Sequence, residues 1–202
     1  MSPAETTPDR RLVVRSLVVG PLENNVHLAA CASSARAVLI DPAAEPERIL
    51  EAAFGLTVEA ILLTHGHPDH IGAVRRLQPA WEIPVCLHPA DAGLAGLAGT
   101  LPLADGEQIR FGSLALEVRH TPGHTPGSVC FYAEGCLFSG DTLFPGGPGA
   151  TPDRAAFGAV MASLRTRLFT LPDPTRVLPG HGPETTIGAE RPFLDEWEKR
   201  GW

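Results

Sequence analysis

The 202-residue sequence predicts an α/β (α+β) protein in which two sheets pack face to face and helices cover both outer faces. Three observations carry this reading. β-type runs cluster early and mid-chain, and amphipathic helical stretches separate and follow them. Gly112-Ser113 and Glu134-Gly135 join neighbouring runs as hairpins, so those neighbours are antiparallel, which weakens a purely parallel, doubly wound alternative.

In chain order, residues 1–10 are polar and proline-bearing and read as a mobile tail, leaving 11–202 as a single domain. Residues 11–19, 25–30 and 36–40 are β-type runs separated by turn chemistry at Gly20-Pro21 and Ser33-Ser34, an antiparallel meander. Asp41-Pro42 ends the third run, and 45–54 has the charge and spacing of an amphipathic helix. A buried strand at 58–63 is followed by a helix from Asp69 with Ile71, Val74 and Leu77 on its apolar face. Residues 84–87 form a short strand, and 91–99, rich in Gly and Ala, is helix or loop. The hairpins pair 107–111 with 114–119 and 128–133 with 136–139. A helix over 154–169 aligns Phe157, Val160, Met161, Leu164 and Leu168, 176–178 is a brief strand, and 187–202 is amphipathic with Phe193, Leu194 and Trp197. The Gly- and Pro-rich segments 121–127, 145–152 and 179–183 are loops.

The junction of the 58–63 strand with the next helix reads Thr64-His65-Gly66-His67-Pro68-Asp69-His70. Gly66 accepts backbone angles closed to other residues, and Pro68 suits a first helical turn, where no intrahelical donor is lost. The turn therefore gathers four ligand-type side chains, His65, His67, Asp69 and His70, at one rim. Imidazole and carboxylate are the ligands of zinc and its transition-series neighbours. One tetrahedral ion does not take four ligands from a single turn, whereas two ions sharing it relieve the crowding. Later loops offer further donors: His120 and His124, then Asp141, then His181 in Pro179-Gly180-His181-Gly182. The loop after Arg119 thus offers a fourth and a fifth imidazole. Asp41 either orients a ligand imidazole from behind or simply forms a turn. His27 and His88, lone histidines in strand contexts, read as structural.

Composition narrows the class. A net charge of -7 argues against a protein devoted to the nucleic acid backbone, and no stretch approaches a membrane span or a signal peptide, leaving the cytoplasm as the default location. Cys31, Cys86, Cys130 and Cys136 form no C-x-x-C pair and read as small buried hydrophobes in a reducing compartment.

The H-x-H-x-D-H turn, the Gly123-His124-Thr125 loop, Gly140-Asp141-Thr142 and Pro179-Gly180-His181-Gly182 stand in an order and spacing that resemble the metallo-β-lactamase superfamily. The likeness is nearest to its hydroxyacylglutathione hydrolase (glyoxalase II-like) branch and covers nearly the whole chain. It implies an αββα sandwich of two mixed, largely antiparallel sheets, with the site at one edge. It further implies one metal on His65, His67 and His124, a second on Asp69, His70 and His181, and Asp141 bridging two divalent ions, most simply zinc, with iron or manganese as alternatives. A hydroxide shared by those ions would attack a thioester carbonyl, with Asp69 in a second, catalytic role accepting a hydrogen bond from it. The partner so implied is a small, anionic thioester. In the family's pattern the ligand histidine follows Pro-Gly, as His124 does, so the resemblance implies that His120 is a strand-end or supporting group.

Two rivals use the same residues. A persulfide dioxygenase-like enzyme holds a single iron on two histidines and one carboxylate, which His65, His124 and Asp141 supply. A metal-stabilised binding protein needs no turnover at all. The glyoxalase II resemblance also implies a C-terminal helical segment with basic residues for glutathione, and the sequence stops at Trp202, so that segment is expected to be lacking. In the loop after Asp141 the nearest base is Arg154, which leaves the thiol carrier open.

Overall fold

A computed structural model describes residues 11–201; the expected tail over 1–10, and Trp202, lie outside the described residues. The first half of the chain builds one six-stranded sheet whose spatial order follows the sequence: β1 (Leu12–Val19), β2 (Asn24–Cys31), β3 (Arg36–Ile40), β4 (Thr57–Leu62), β5 (Val85–Leu87) and β6 (Leu101–Pro102). The first three strands form the expected antiparallel meander. From β3 onward the strands run parallel, because each return is made over one face by helices: α1 (Pro46–Ala52), then α2 (Pro68–Ile71) with α3 (Val74–Trp81), then α4 (Ala92–Ala95).

The second half builds another six-stranded sheet from β7 (Gln108–Phe111), β8 (Leu114–His120), β9 (Val129–Ala133), β10 (Cys136–Gly140), and, past a small hairpin of β11 (Leu143–Phe144) and β12 (Gly147–Pro148), β13 (Arg176–Pro179) and β14 (Thr185–Thr186). Its order is β14-β13-β10-β9-β8-β7, with β10 and β13 parallel across α5 (Arg154–Ser163) and the other pairs antiparallel. Two short helices, α6 (Ile187–Glu190) and α7 (Leu194–Arg200), close the chain.

The period-two alternation of the strands sorts their side chains into three apolar layers. Val38, Ile40 and Leu62 from the first sheet meet Leu116, Phe131 and Phe138 of the second between the sheets. On the outer face of the first sheet, Leu28, Leu39 and Ile61 pack against Ile49, Val74 and Leu77 of the helices. On the outer face of the second, Leu137 and Val177 pack against Val160, Leu164 and Trp197. Helix, sheet, sheet, helix is the layering the resemblance implied. All four cysteines are free and buried. Among the described residues no helix is long and apolar enough to cross a membrane.

Local departures have physical causes. The helix expected to run on from Asp69 breaks at Gly72-Ala73, where the chain passes so close to the Ala43 carbonyl that a Cβ on Gly72 would collide with it, and Ala73 N–H donates instead to Pro42 O (2.9 Å). The helix from Arg154 starts where the Asp153 carboxylate accepts from Ala156 N (2.8 Å). It widens to a π-turn over Leu164–Leu168, with Phe169 N donating to Leu164 O, and so keeps both leucines buried. Phe193, expected on an apolar face, is 47% exposed. The segment 145–152, read as loop, carries the β11–β12 hairpin.

Candidate metal centre

The C-terminal ends of β4, β10 and β13 and the β8–β9 loop meet at one rim of the sandwich, and each delivers donors to it. The donor atoms of His65, His67 and His124 lie within 4.8 Å of one another, as do those of Asp69, His70 and His181. Asp141 stands between the groups: its Oδ1 is 3.4 Å from His70 Nε2, and its Oδ2 is 3.6 Å from His124 Nε2 and 3.7 Å from His181 Nε2. All seven residues expected from the sequence are therefore brought together. Gly180 permits the convergence, because a Cβ there would strike both Asp141 Oδ1 and His70 Cε1.

The hydrogen bonds fix which imidazole nitrogen is free. Thr64 Oγ1 donates to Asp41 Oδ2 (2.6 Å), so it must accept from His65 Nδ1 (3.0 Å), and the His65 lone pair is on Nε2. His70 Nδ1 donates to Asp41 Oδ2 (3.1 Å), His124 Nδ1 to Ala150 O (2.6 Å) and His181 Nδ1 to Leu22 O (2.9 Å). Four rings are thus anchored through Nδ1–H with Nε2 facing inward, while His67 presents Nδ1, 2.9 Å from His124 Nε2. His65 Nε2, His70 Nε2 and Asp141 Oδ1 are buried with no hydrogen-bond partner. Orphaned buried polar atoms are costly, and several aimed at one point are what a bound cation satisfies, displacing any proton one of them carries. The residues present fit divalent metal.

The electrostatics divide the donors. Burial, and then the charge of His70, holds His65 well below the ordinary imidazole value, so it stays neutral as a ligand must. His67 is lowered by burial and by His124. For His70 burial pulls downward, but the carboxylates of Asp141 and Asp41 outweigh it and raise the group to about 10. Burial alone would raise Asp141; the His70 imidazole 3.4 Å away, with the charges of His65 and His124, drives it well below the usual carboxylate range. Asp69, likewise opposed by burial, is lowered by the Asn24 hydrogen bond and by His70.

Asp41 also lies close to His65 and His70, but both its oxygens are engaged: Oδ1 accepts from Thr64 N (2.7 Å), and Oδ2 from Thr64 Oγ1 and His70 Nδ1. It holds the His70 ring directly and the His65 ring through Thr64, and at φ 47° it also turns the chain. His120 ends β8, stacks on His88 (centroids 4.1 Å apart) and approaches Pro126 O through Nε2 (3.0 Å). These contacts brace the loop that carries His124, and neither is made with a ring of the two donor clusters. His27 is buried between Ser16 and the Pro179 carbonyl, a structural position.

Three residues escaped the sequence reading. Asn24, 3% exposed, donates through Nδ2 to Asp69 Oδ2 (2.9 Å) and lies 3.3 Å from His181 Nε2. Asn25 clamps the His181 loop by donating to Pro179 O (2.9 Å) and Gly182 O (2.8 Å). Asp91, fully buried, accepts from Gly66 N (2.8 Å), Thr125 Oγ1 (2.7 Å) and Gly127 N (2.7 Å), tying the His65 turn to the His124 loop. The available signals were two asparagines opening an apolar strand, where asparagine is disfavoured, and a single carboxylate in a Gly/Ala run.

Beside the donors a cavity of about 420 Å³ opens between His67 and His124 on one side and Leu94, Pro126, Ala150 and Pro152 on the other. A larger groove of about 680 Å³, along Arg75, Gln78 and Glu82, includes none of the donors, so the smaller cavity is the one that bears on the chemistry.

The chain is similar to several known proteins. A "Probable metallo-hydrolase YqgX" from Bacillus subtilis is 39% identical over 210 residues, spanning 90% of this chain and 97% of its own. "Hydroxyacylglutathione hydrolase GloC" from Haemophilus influenzae is 34% identical over 185 residues, 79% of this chain and 87% of its own. The solved structure of TTHA1623 in a di-iron-bound form superposes with a TM-score of 0.75 at 43% identity, covering 88% of this chain and 97% of that one. Residues 19–181 match the family model described as the Metallo-beta-lactamase superfamily, and the chain belongs to that superfamily of metal-dependent hydrolases.

Proposed function

We propose that this protein is a glyoxalase II-like thioester hydrolase working with two divalent ions, one held by His65, His67 and His124, the other by Asp69, His70 and His181, with Asp141 between them. The observation that carries the reading is the pair of complete three-donor clusters flanking one carboxylate. A single-iron centre on His65, His124 and Asp141 would leave the second cluster without purpose. When bound, the ions would polarise the scissile carbonyl and make a shared water acidic near neutral pH. Zinc suits the imidazole-rich donor set, and the iron pair seen in TTHA1623 makes iron the alternative.

The chain's own residues do the rest. Asp41 and Thr64 hold the His65 and His70 rings in the tautomer that turns Nε2 inward. Asp69, kept ionised, accepts a proton-bearing group at its carboxylate and so orients the attacking water. Two dications against the carboxylates of Asp69 and Asp141 leave the rim cationic, suited to an anionic thioester. Free, buried cysteines support a reducing compartment, the cytoplasm.

The test is a thioester panel, S-lactoylglutathione included, assayed with zinc-, manganese- and iron-loaded protein, alongside metal analysis. Hydrolysis with two equivalents of metal is expected. One iron per chain with oxygen consumption would replace this reading with the dioxygenase one. Asp141→Ala is expected to abolish turnover and lower metal content, and full activity with two bound metals in that variant would refute the bridging role.

A further inference from the structure

The cavity beside the donors has a chemical character of its own. Among the described residues no acidic or basic side chain lines it apart from the two imidazoles, His67 and His124. Thr125, also on its wall, directs its hydroxyl to Asp91 Oδ2 (2.7 Å) and Ser128 Oγ (2.8 Å) and away from any occupant. What remains is Leu94, Pro126, Ala150, Thr151 and Pro152, and the Thr151 hydroxyl oxygen is itself buried away from the opening. Leu94 is 45% exposed and belongs to none of the three apolar layers, so it is a large apolar side chain at an opening where packing does not require one. At about 420 Å³ the space lies toward the small end of ligand pockets, which run from about 300 to 1,000 Å³.

We propose that this cavity is an acyl subsite: it seats an uncharged, apolar acyl chain of short to medium length against Leu94, with the acyl carbon at the His67–His124 end, and disfavours a hydroxyacyl group. The identity of the occupant rests on the hydrolase reading above; the apolar character of the wall does not. A hydroxyl placed here would lose its hydration without gaining a partner from Leu94, Pro126, Ala150 or Pro152, and such desolvation is unfavourable. Each methylene removed from water against that wall favours binding instead.

The experiment uses the full chain loaded with zinc and thioesters of one uncharged thiol, N-acetylcysteamine, so that only the acyl group varies. From acetyl to butyryl to hexanoyl, kcat/KM is expected to climb up to about fourfold per buried methylene, reaching at least about tenfold over the series. A 2-hydroxybutyryl thioester is expected to fall below butyryl. Leu94→Asp should flatten the series, and Leu94→Ala should lie between. A parallel arm measures binding of non-hydrolysable methyl and hexyl thioether analogues by calorimetry. Turnover that ignores chain length and hydroxyl overturns the subsite and leaves the hydrolase. If no thioester is turned over, the hydrolase reading fails and the thioethers decide: tighter hexyl binding that Leu94→Asp removes upholds the apolar subsite, and equal binding overturns it.

Discussion

Asn24 sits in a strand of the first sheet yet touches donors from two other places in the chain, and removing its amide gives a test of how the second cluster is held. In Asn24→Ala the donor to Asp69 Oδ2 at 2.9 Å is lost, as is the amide 3.3 Å from His181 Nε2. A hydrogen bond to a charged group contributes about 1.5–3 kcal/mol, and the partial exposure of the Asp69 side chain (30%) favours the lower end, since water replaces part of the loss. About 1.5 kcal/mol is roughly tenfold in affinity, within the ~10–100-fold range for losing a residue that orients a metal ligand. The side-chain amide of Asn24 reaches Asp69 and His181 and not the cluster of His65, His67 and His124, so the affinity of that cluster should be unchanged. Zinc titration against a chromophoric chelator should therefore become more clearly biphasic, with one site weakened about tenfold and the other within about twofold of wild type. A folded variant in which both affinities hold, or in which both fall together, would show that Asn24 does not orient Asp69 and His181.

Asp91→Ala strands three buried donors at once, and chemical denaturation should show a loss of about 3–5 kcal/mol; a change under about 1 kcal/mol would mean that the two loops hold without that tie. Gly180→Ala forces a methyl into Asp141 and His70, so metal content should fall and stability drop by about 1–3 kcal/mol, and normal zinc occupancy would contradict the packing. In chelator-treated protein the pH dependence has two limbs. His70, raised from 6.5 to about 10, contributes stability fully below 6.5 that is lost as pH rises toward 10, while His65, lowered by burial, costs stability as pH falls below 6.5. Calorimetric melting temperatures should therefore peak near neutrality without metal and lose the alkaline limb when metal replaces the His70 proton. An alkaline limb that is identical with and without metal would remove His70 from the ligand set.

How far the sequence speaks depends on how local the cause is. The turn from Thr64 to His70 was legible because four donors fall within six residues, and the hairpins because Gly112-Ser113 and Glu134-Gly135 carry their own turn chemistry. The later donors were legible through short motifs at strand ends. Asn24 was not, since its partners Asp69 and His181 lie 45 and 157 positions away and nothing near residue 24 points to them. Asp91 was hidden for the same reason: its acceptors serve backbone groups of two loops that only the fold brings side by side. The helix break at Gly72-Ala73 is set by the Ala43 carbonyl, and the π-turn after Ser163 by the layer it must fill, neither of which is written in helical periodicity. The apolar cavity is similar, since Leu94, Pro126 and Pro152 have no common motif.

The division of labour between the sheets has a consequence for integrity. His65, His67, Asp69 and His70 come from the stretch that makes the first sheet, and His124, Asp141 and His181 from the stretch that makes the second. Each three-donor cluster draws two members from the former and one from the latter. Any cation seated there is a clasp across the seam, so its affinity gauges how well the two successive lengths of polypeptide dock, and a nick between residues 103 and 107 would turn cation uptake into a readout of reassembly.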